Sequence, residues 1–219
     1  HYFMTLCGVE YKKKYNKDCI LVTYNPDNNI HAWWDNRDGL FIVNNKEAYD
    51  EAINRRHFNP DEVKQVYFTA RDELINAKID KMGYREKYNI PKDKFCVMLA
   101  DGAYASARSV AVTKELLKTD KPLTIILLAG KNKKVYEKFK EMEGKTKPNI
   151  TLMTFGFMTN VHELYCASDL FITKAGPNAI LDSVFMQTPI LVDYYAHPIE
   201  KATTKLFVDK FKCGVAIYK

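Results

Sequence analysis

The segment TKAGPNAILDSVFMQTPILV, residues 173–192, holds residue types at spacings that suit an anionic, hydroxyl-bearing ligand. An apolar run ends at Thr173, and Gly176 then lets a ligand approach the backbone with no Cβ in the way. Pro177 suits a first helical position, where an N–H would have no partner anyway. A helix opening there would offer a phosphate its unpaired amides and the positive end of its dipole. Asp182, about a turn and a half farther on, is placed to accept hydrogen bonds from vicinal hydroxyls such as those of a ribose. The spacing predicts a helix through Gln187, with Pro177, Ile180, Leu181 and Val184 toward a sheet and Asn178 and Asp182 on the other side. The same residues also describe an ordinary strand-to-helix junction with no ligand.

Such a junction needs an α/β frame, and the chain has that rhythm throughout. Short β-rich runs recur at 20–23, 40–43, 66–69, 95–99, 123–128, 150–153, 170–173, 190–193 and 214–218. Between them lie stretches with helical spacing, among them Ala48, Tyr49, Ala52 and Ile53, and then Ala103, Ala107, Val110 and Ala111. This alternation predicts right-handed βαβ units and parallel sheets. The run LTIILLAG, apolar on both faces, is expected as an interior parallel strand. From Ala70 to Pro91 the pattern becomes charged and strandless, which places a domain boundary there: the end of one unit at 1–72 and a fresh unit at 73–219.

Composition sets bounds on function. The 219 residues, 47% hydrophobic and 27% charged, are enough for a substantial core. A formal charge of +6 is too slight to choose among nucleic acid, phosphate ligands and an anionic lipid surface. The cysteines at 7, 19, 96, 166 and 213 form no CxxC pair and read as buried thiols of a reducing cytoplasm. No window reaches the roughly 18–20 apolar residues of a spanning helix, so membrane contact is expected to be peripheral. The histidines at 1, 31, 57, 162 and 197 are scattered, and His162 and Glu163 are adjacent rather than one turn apart. No metal is expected, and His162 is assigned to a solvated helix face.

The segment from Thr173 to Lys201, TKAGPNAILDSVFMQTPILVDYYAHPIEK, resembles the nucleotide-binding motif of the family that holds monogalactosyldiacylglycerol synthase, the processive diacylglycerol glucosyltransferases and, more distantly, the peptidoglycan lipid-linked N-acetylglucosaminyltransferase. The resemblance implies Rossmann-like parallel sheets of a GT-B glycosyltransferase, with a UDP-sugar as donor and no other cofactor. Lys174, Ala175, Gly176 and Pro177 match the family's turn at the nucleotide, with Asn178 beside them, and Asp182 stands where an acidic residue meets the ribose. Glu200 and Lys201 match a later Q-E-K element at the donor sugar, with Ile199 in place of its glutamine. In NITLMTFGFMTNVHELYCASDLFITKAGP, Phe157 and Met158 fall where the backbone meets uracil; core filling is the other reading of this pair. The loop in VMLADGAYASARS matches a glycine-rich donor loop in Gly102 alone. There Asp101 brings a negative charge to the rim and Tyr104 adds bulk.

On the acceptor side the resemblance covers KDCILVTYNPDNNIHAWWDNRDGLFIVNNKEAYDEAINRRHFNPDEVKQVYFTA and puts His31, Trp33 and Trp34 in a loop facing a lipid acceptor. Burial is the alternative for the tryptophans. The family's earlier glycine-rich loop, with a histidine at or near the catalytic base, is expected upstream of His1, so the chain reads as a fragment of a two-domain enzyme. The implied function is transfer of a hexose from a UDP-sugar to a diacylglycerol-like acceptor in glycolipid synthesis. The expected setting is the cytoplasm at the membrane surface, with no nucleic acid as partner. The alternatives are a degenerate nucleotide-binding domain without catalysis, suggested by the eroded loop at Gly102, and a UDP-sugar epimerase, for which only Glu200 and His197 offer catalytic groups.

Overall fold

The structure is a computed structural model that describes residues 2–34, 38–195 and 200–217. His1, His197 and Ile199, each weighed above, lie outside the described residues. The chain divides between Thr69 and Ala70 into two compact units.

In the first unit, helix α1 (Tyr2–Tyr15) precedes β1 (Val22–Tyr24), β2 (Leu40–Val43), α2 (Lys46–Asn54) and β3 (Val63–Gln65). The strands form a parallel sheet in the order β1-β2-β3. Asn45 starts α2 by accepting the Ala48 N–H at 2.7 Å, and the buried Ala48 and Ala52 face a core of Ile30, Trp34, Phe41, Val43, Phe58 and Val63. The strand expected at 66–69 is displaced. Val63 is the residue that reaches this core, pairing with Phe41, whereas Val66 and Tyr67 are exposed.

The second unit holds α3 (Asp72–Ile75), α4 (Lys81–Lys87), β4 (Phe95–Ala100), α5 (Ala107–Leu116), β5 (Leu123–Gly130), α6 (Lys133–Glu143), β6 (Ile150–Gly156), α7 (Val161–Ala167), β7 (Leu170–Lys174), α8 (Pro177–Phe185), β8 (Ile190–Tyr194), α9 (Glu200–Thr204) and β9 (Gly214–Ala216). Among the described residues its sheet has six parallel strands in the order β6-β5-β4-β7-β8-β9. The chain runs outward from β4 through β5 to β6, then returns to lay β7 on the other side of β4. Strand order therefore reverses between β4 and β7, and helices leaving the two strands diverge there, opening a crevice at the strands' carboxyl ends. As expected, β5 is buried along nearly its whole length, and its side chains pack with Val97, Leu99, Phe139, Ile150 and Ile172.

Several details depart from the sequence reading. Helix α8 ends at Phe185, and Gln187 takes a left-handed φ of 58°. Its fully buried positions are Ile180 and Ser183, while Leu181 and Val184 are half-buried. Ser183 tolerates burial because its Oγ donates to the Thr188 carbonyl at 2.9 Å. On α5 the buried residues are Ser109 and Thr113, not Ala107 or Ala111. Of the cysteines only Cys96 and Cys166 are buried, and burial pushes the Cys96 thiol up to about 11. Cys7 is exposed, and Cys19 and Cys213 are half-buried.

At the amino ends of the strands, the buried Arg85 of α4 clasps the sheet. It donates to the carbonyls of Ala167, Lys92 and Lys94 and, at 2.6 Å, to Asp169. Burial pushes the Asp169 carboxyl up, but the Cys96 amide, Lys81 and Arg85 outweigh it and hold the group below its usual range. A depressed folded-state value means stability that is present above about pH 4 and fades as pH falls through the lowered value. Arg85→Met should cost about 3–5 kcal/mol in urea unfolding at pH 7. The gap between the two proteins should narrow as Asp169 becomes protonated below pH 4.

Candidate functional site

A cavity of about 480 Å³ opens at the carboxyl ends of β4, β7 and β8, lined by Asp101, Tyr104, Ser106, Arg108, Lys174, Asp193 and Tyr194. This is the crevice created by the reversal of strand order. Each wall follows from a strand end. Asp101 follows β4 directly, Lys174 is the last residue of β7, and Asp193 and Tyr194 close β8. A buried hydrogen bond from Thr173 Oγ1 to the Ala100 carbonyl, 2.9 Å, ties β7 to β4 just beneath.

Asp101 does not present the bare negative charge expected of it. It is 8% exposed, accepts the hydroxyls of Ser106, at 2.6 Å, and Ser109, and forms an ion pair with Arg108. The guanidinium of Arg108 also pairs with Asp193, so one cation from the first turn of α5 bridges the ends of β4 and β8 across β7. Lys174 in turn pairs with Glu200, the first residue of α9. The crevice thus sets the carboxylates of Asp101, Asp193 and Glu200 against the cations of Arg108 and Lys174.

The loop carrying Gly102 is held in place. The Lys131 N–H donates to the Ala103 carbonyl at 2.8 Å, and Asn132 Nδ2 donates to Ala105 at 2.8 Å. Gly130 lies beneath with φ 58°, and a Cβ there would come within 2.2 Å of the Ala103 oxygen. Gly102 itself sits at a left-handed turn position, φ 85°, facing open space. Tyr104, 63% exposed, stands free of the core at the cavity rim.

Helix α8 starts at the same crevice. Ala175 is buried, with its N–H donating to the Tyr194 carbonyl at 3.0 Å, and Gly176 is the N-cap with no side-chain cap bond. Pro177 has no N–H, so the amides of Asn178 and Ala179 form the helix's open end. Asn178 is exposed. Asp182, farther along α8, is 17% exposed and forms an ion pair with Arg71 at 2.7 Å. Burial pushes its carboxyl above the usual aspartate value, against the opposing charges of Arg71 and His162. His162 itself, assigned to solvent above, is 8% exposed on α7, with no hydrogen-bond partner for Nδ1 among the described residues.

The structure brings Lys174, Ala175, Gly176, Pro177 and Glu200 together, with Gly102 next to the cavity wall at Asp101. Phe157 and Met158 follow β6, two strands along from β4. Phe157 is not core filling: it is 57% exposed, with Lys131 Nζ 4.8 Å from its ring centre, while Met158 is half-buried. In the first unit, His31 Nε2 lies 3.1 Å from Asp27 Oδ2, and Trp34 is buried with its Nε1 donating to the same oxygen at 2.9 Å. Trp33 is 52% exposed, edge-on to the His31 ring. Arg108, Asp193 and Arg71 were missed. A charged residue ending an apolar strand, as in ILVDY, was an available signal for Asp193, but a pairing across 85 residues is not visible in sequence.

A doubly wound sheet with a crevice at its switch point and an open helix start beside it is a frame on which α/β units commonly seat anionic ligands. Residues 101–198 match the family model described as the glycosyltransferase family 28 C-terminal domain. The chain is 24% identical over 212 residues to a processive diacylglycerol beta-glucosyltransferase of Bacillus pumilus, covering 95% of this chain and 53% of the relative. It is 25% identical over 160 residues to monogalactosyldiacylglycerol synthase 1 of Arabidopsis thaliana, covering 70% and 29%. Among solved structures, Acinetobacter baumannii MurG matches with TM-score 0.67 at 12% identity, over 100% of this chain and 58% of that one. Arabidopsis thaliana UGT89C1, solved with UDP, matches with TM-score 0.69 at 13% identity, over 99% and 57%. The fold is that of the GT-B glycosyltransferases, and in sequence the chain is similar to the diacylglycerol glucosyltransferases and monogalactosyldiacylglycerol synthase. It spans about half the length of the curated relatives it matches.

Asp182 is more costly to ionise in the folded chain than in an unfolded one, so its charge opposes folding at neutral pH. Asp182→Asn should therefore be at least as stable as the wild type at pH 7 in thermal unfolding. That advantage should disappear as pH falls through the raised value and the wild-type carboxyl takes up its proton.

Proposed function

We propose that this chain forms part of a glycosyltransferase that moves a hexose from a UDP-sugar to the hydroxyl of a diacylglycerol-like lipid, its second unit holding the nucleotide. The observation that carries this reading is the open start of α8 at the mouth of the crevice, with Asp182 on the same helix. The diphosphate would lie at Gly176, Pro177 and Asn178, taking the amides of Asn178 and Ala179, and Asp182 would accept the ribose hydroxyls. Phe157 and Met158 would flank the uracil, and Gly102 would border the donor. The UDP-bound structural neighbour supports a uridine nucleotide, and the glycolipid-synthesising relatives support a lipid acceptor.

The pairing of Lys174 with Glu200 suggests how the donor is divided. Lys174 would turn to a phosphate oxygen and release Glu200 to accept hydroxyls of the sugar. Charge developing on the departing UDP would meet preorganised amides and a cation in a partly closed site, which favours the transition state over the bound donor. Acceptor recognition at His31 and Trp33, with a peripheral contact at the membrane surface, belongs to the same proposal. Among the described residues no helix is long and apolar enough to cross a membrane.

Gly176 offers a clean test. Its φ is −68°, and an added Cβ would meet nothing closer than the flexible tip of Lys174 at 3.5 Å. The fold therefore does not require glycine there, whereas a phosphate seated against that backbone would. Gly176→Ala should keep its melting temperature yet weaken UDP binding about tenfold or more in calorimetry, a loss near 1.4 kcal/mol. Asp182→Ala should weaken UDP similarly. UDP affinity unchanged in both variants would contradict the assignment, and acceptor-dependent UDP release from UDP-glucose with diacylglycerol vesicles tests the transfer itself.

A further inference from the structure

Asp182 has a partner that neither its motif nor its helix supplies. Arg71, the N-cap residue of α3, donates from Nη2 to Asp182 Oδ2 at 2.7 Å. The two residues are 111 positions apart, and the packing of α3 on α8 brings them together. Leu74, buried within α3, anchors that short helix.

The pair has little to do for the fold. Arg71 is 48% exposed, and an ion pair with so solvated a partner contributes about 0–1 kcal/mol. Nor does Arg71 cap α3, since it makes no side-chain cap bond. Among the described residues its guanidinium forms no ion pair other than that with Asp182. A well-aligned, charge-assisted bond that stabilises so little is better explained by what it does to the carboxylate.

A free aspartate side chain turns about two bonds, and a pair of vicinal hydroxyls needs its oxygens in one orientation. The Arg71 bond to Oδ2 removes that freedom and leaves the lone pairs of Oδ1 for a ligand. We propose that Arg71 is a positioning residue for the ribose subsite, fixing the Asp182 carboxylate in the orientation that receives the two pentose hydroxyls. The inference rests on the nucleotide reading above and adds to it a residue outside the motif. The surroundings agree: within electrostatic reach of Asp182 are Arg71 and, on α7, His162 and Tyr165, and both Arg71 and His162 favour its charged form.

The test is the preference for UDP over 2′-deoxy-UDP, measured by calorimetry on the 219-residue chain and its variants. The wild type should prefer UDP about tenfold, as for one charged hydrogen bond lost. Arg71→Gln should reduce that preference to about twofold with its melting temperature unchanged, and Arg71→Lys should keep most of it. In an Asp182→Asn background, Arg71→Gln should reduce it no further. Arg71→Gln with the full preference retained, or with tighter UDP binding, would overturn the proposal while leaving the nucleotide site standing. So would an equal loss of UDP affinity in the Asp182→Asn background, because Arg71 would then be acting on the nucleotide directly. If Asp182→Asn itself keeps the full preference, the ribose reading falls and takes this inference with it.

Discussion

One guanidinium holds the crevice together. Arg108 reaches from the first turn of α5 to carboxylates at the ends of two strands that are not neighbours, Asp101 after β4 and Asp193 in β8. Without it, a buried carboxylate and a half-buried one would face each other over the end of β7, where charge repulsion is poorly screened. The polar residues buried on α5 follow from this. Ser109 faces inward to serve Asp101, and Thr113 is satisfied one turn later through the Ser109 carbonyl. All three residues of that bridge line the cavity.

The bridge also settles the electrostatic character of the site. Both cations lining the cavity, Arg108 and Lys174, are matched by carboxylates. An anion arriving here would not meet a bare positive patch, as it would in a glycine-rich loop with an unpaired lysine. It would meet helix amides and a lysine able to change partners. On the proposed function, such a site would hold a diphosphate less by raw charge than by geometry. Carboxylates and two exposed tyrosines, Tyr104 and Tyr194, remain around it for a polyhydroxylated group. The loop residues that look eroded in sequence are thus integral parts of the wall.

Much of this frame was legible in the sequence because it rests on local pattern. The two-sided apolar run of β5, the glycine and proline at the start of α8 and the alternation of strand and helix are short-range signals, and the structure places them as expected. What could not be read depends on pairs distant in the chain. Asp101 looked like an awkward charge because the guanidinium that pairs with it, Arg108, is shared with Asp193, and only the fold brings the three together. His162 looked solvated because adjacency to Glu163 says nothing about which side of α7 packs inward. The strand at Val63 was misplaced because Val66 and Tyr67 have equal β-propensity, and only contact with Phe41 separates them. Arg71 carried no local signal, since its role arises from the packing of α3 on α8.

The central claim is that the open start of α8 seats a nucleotide diphosphate and leaves its pentose to Asp182. A crystal structure of the chain with UDP tests it most directly. The account predicts phosphate oxygens within hydrogen-bonding distance of the Asn178 and Ala179 amides, and ribose hydroxyls on an Asp182 that still pairs with Arg71. UDP bound away from this helix, or phosphates gathered instead on Arg108 with Asp182 untouched, would contradict it.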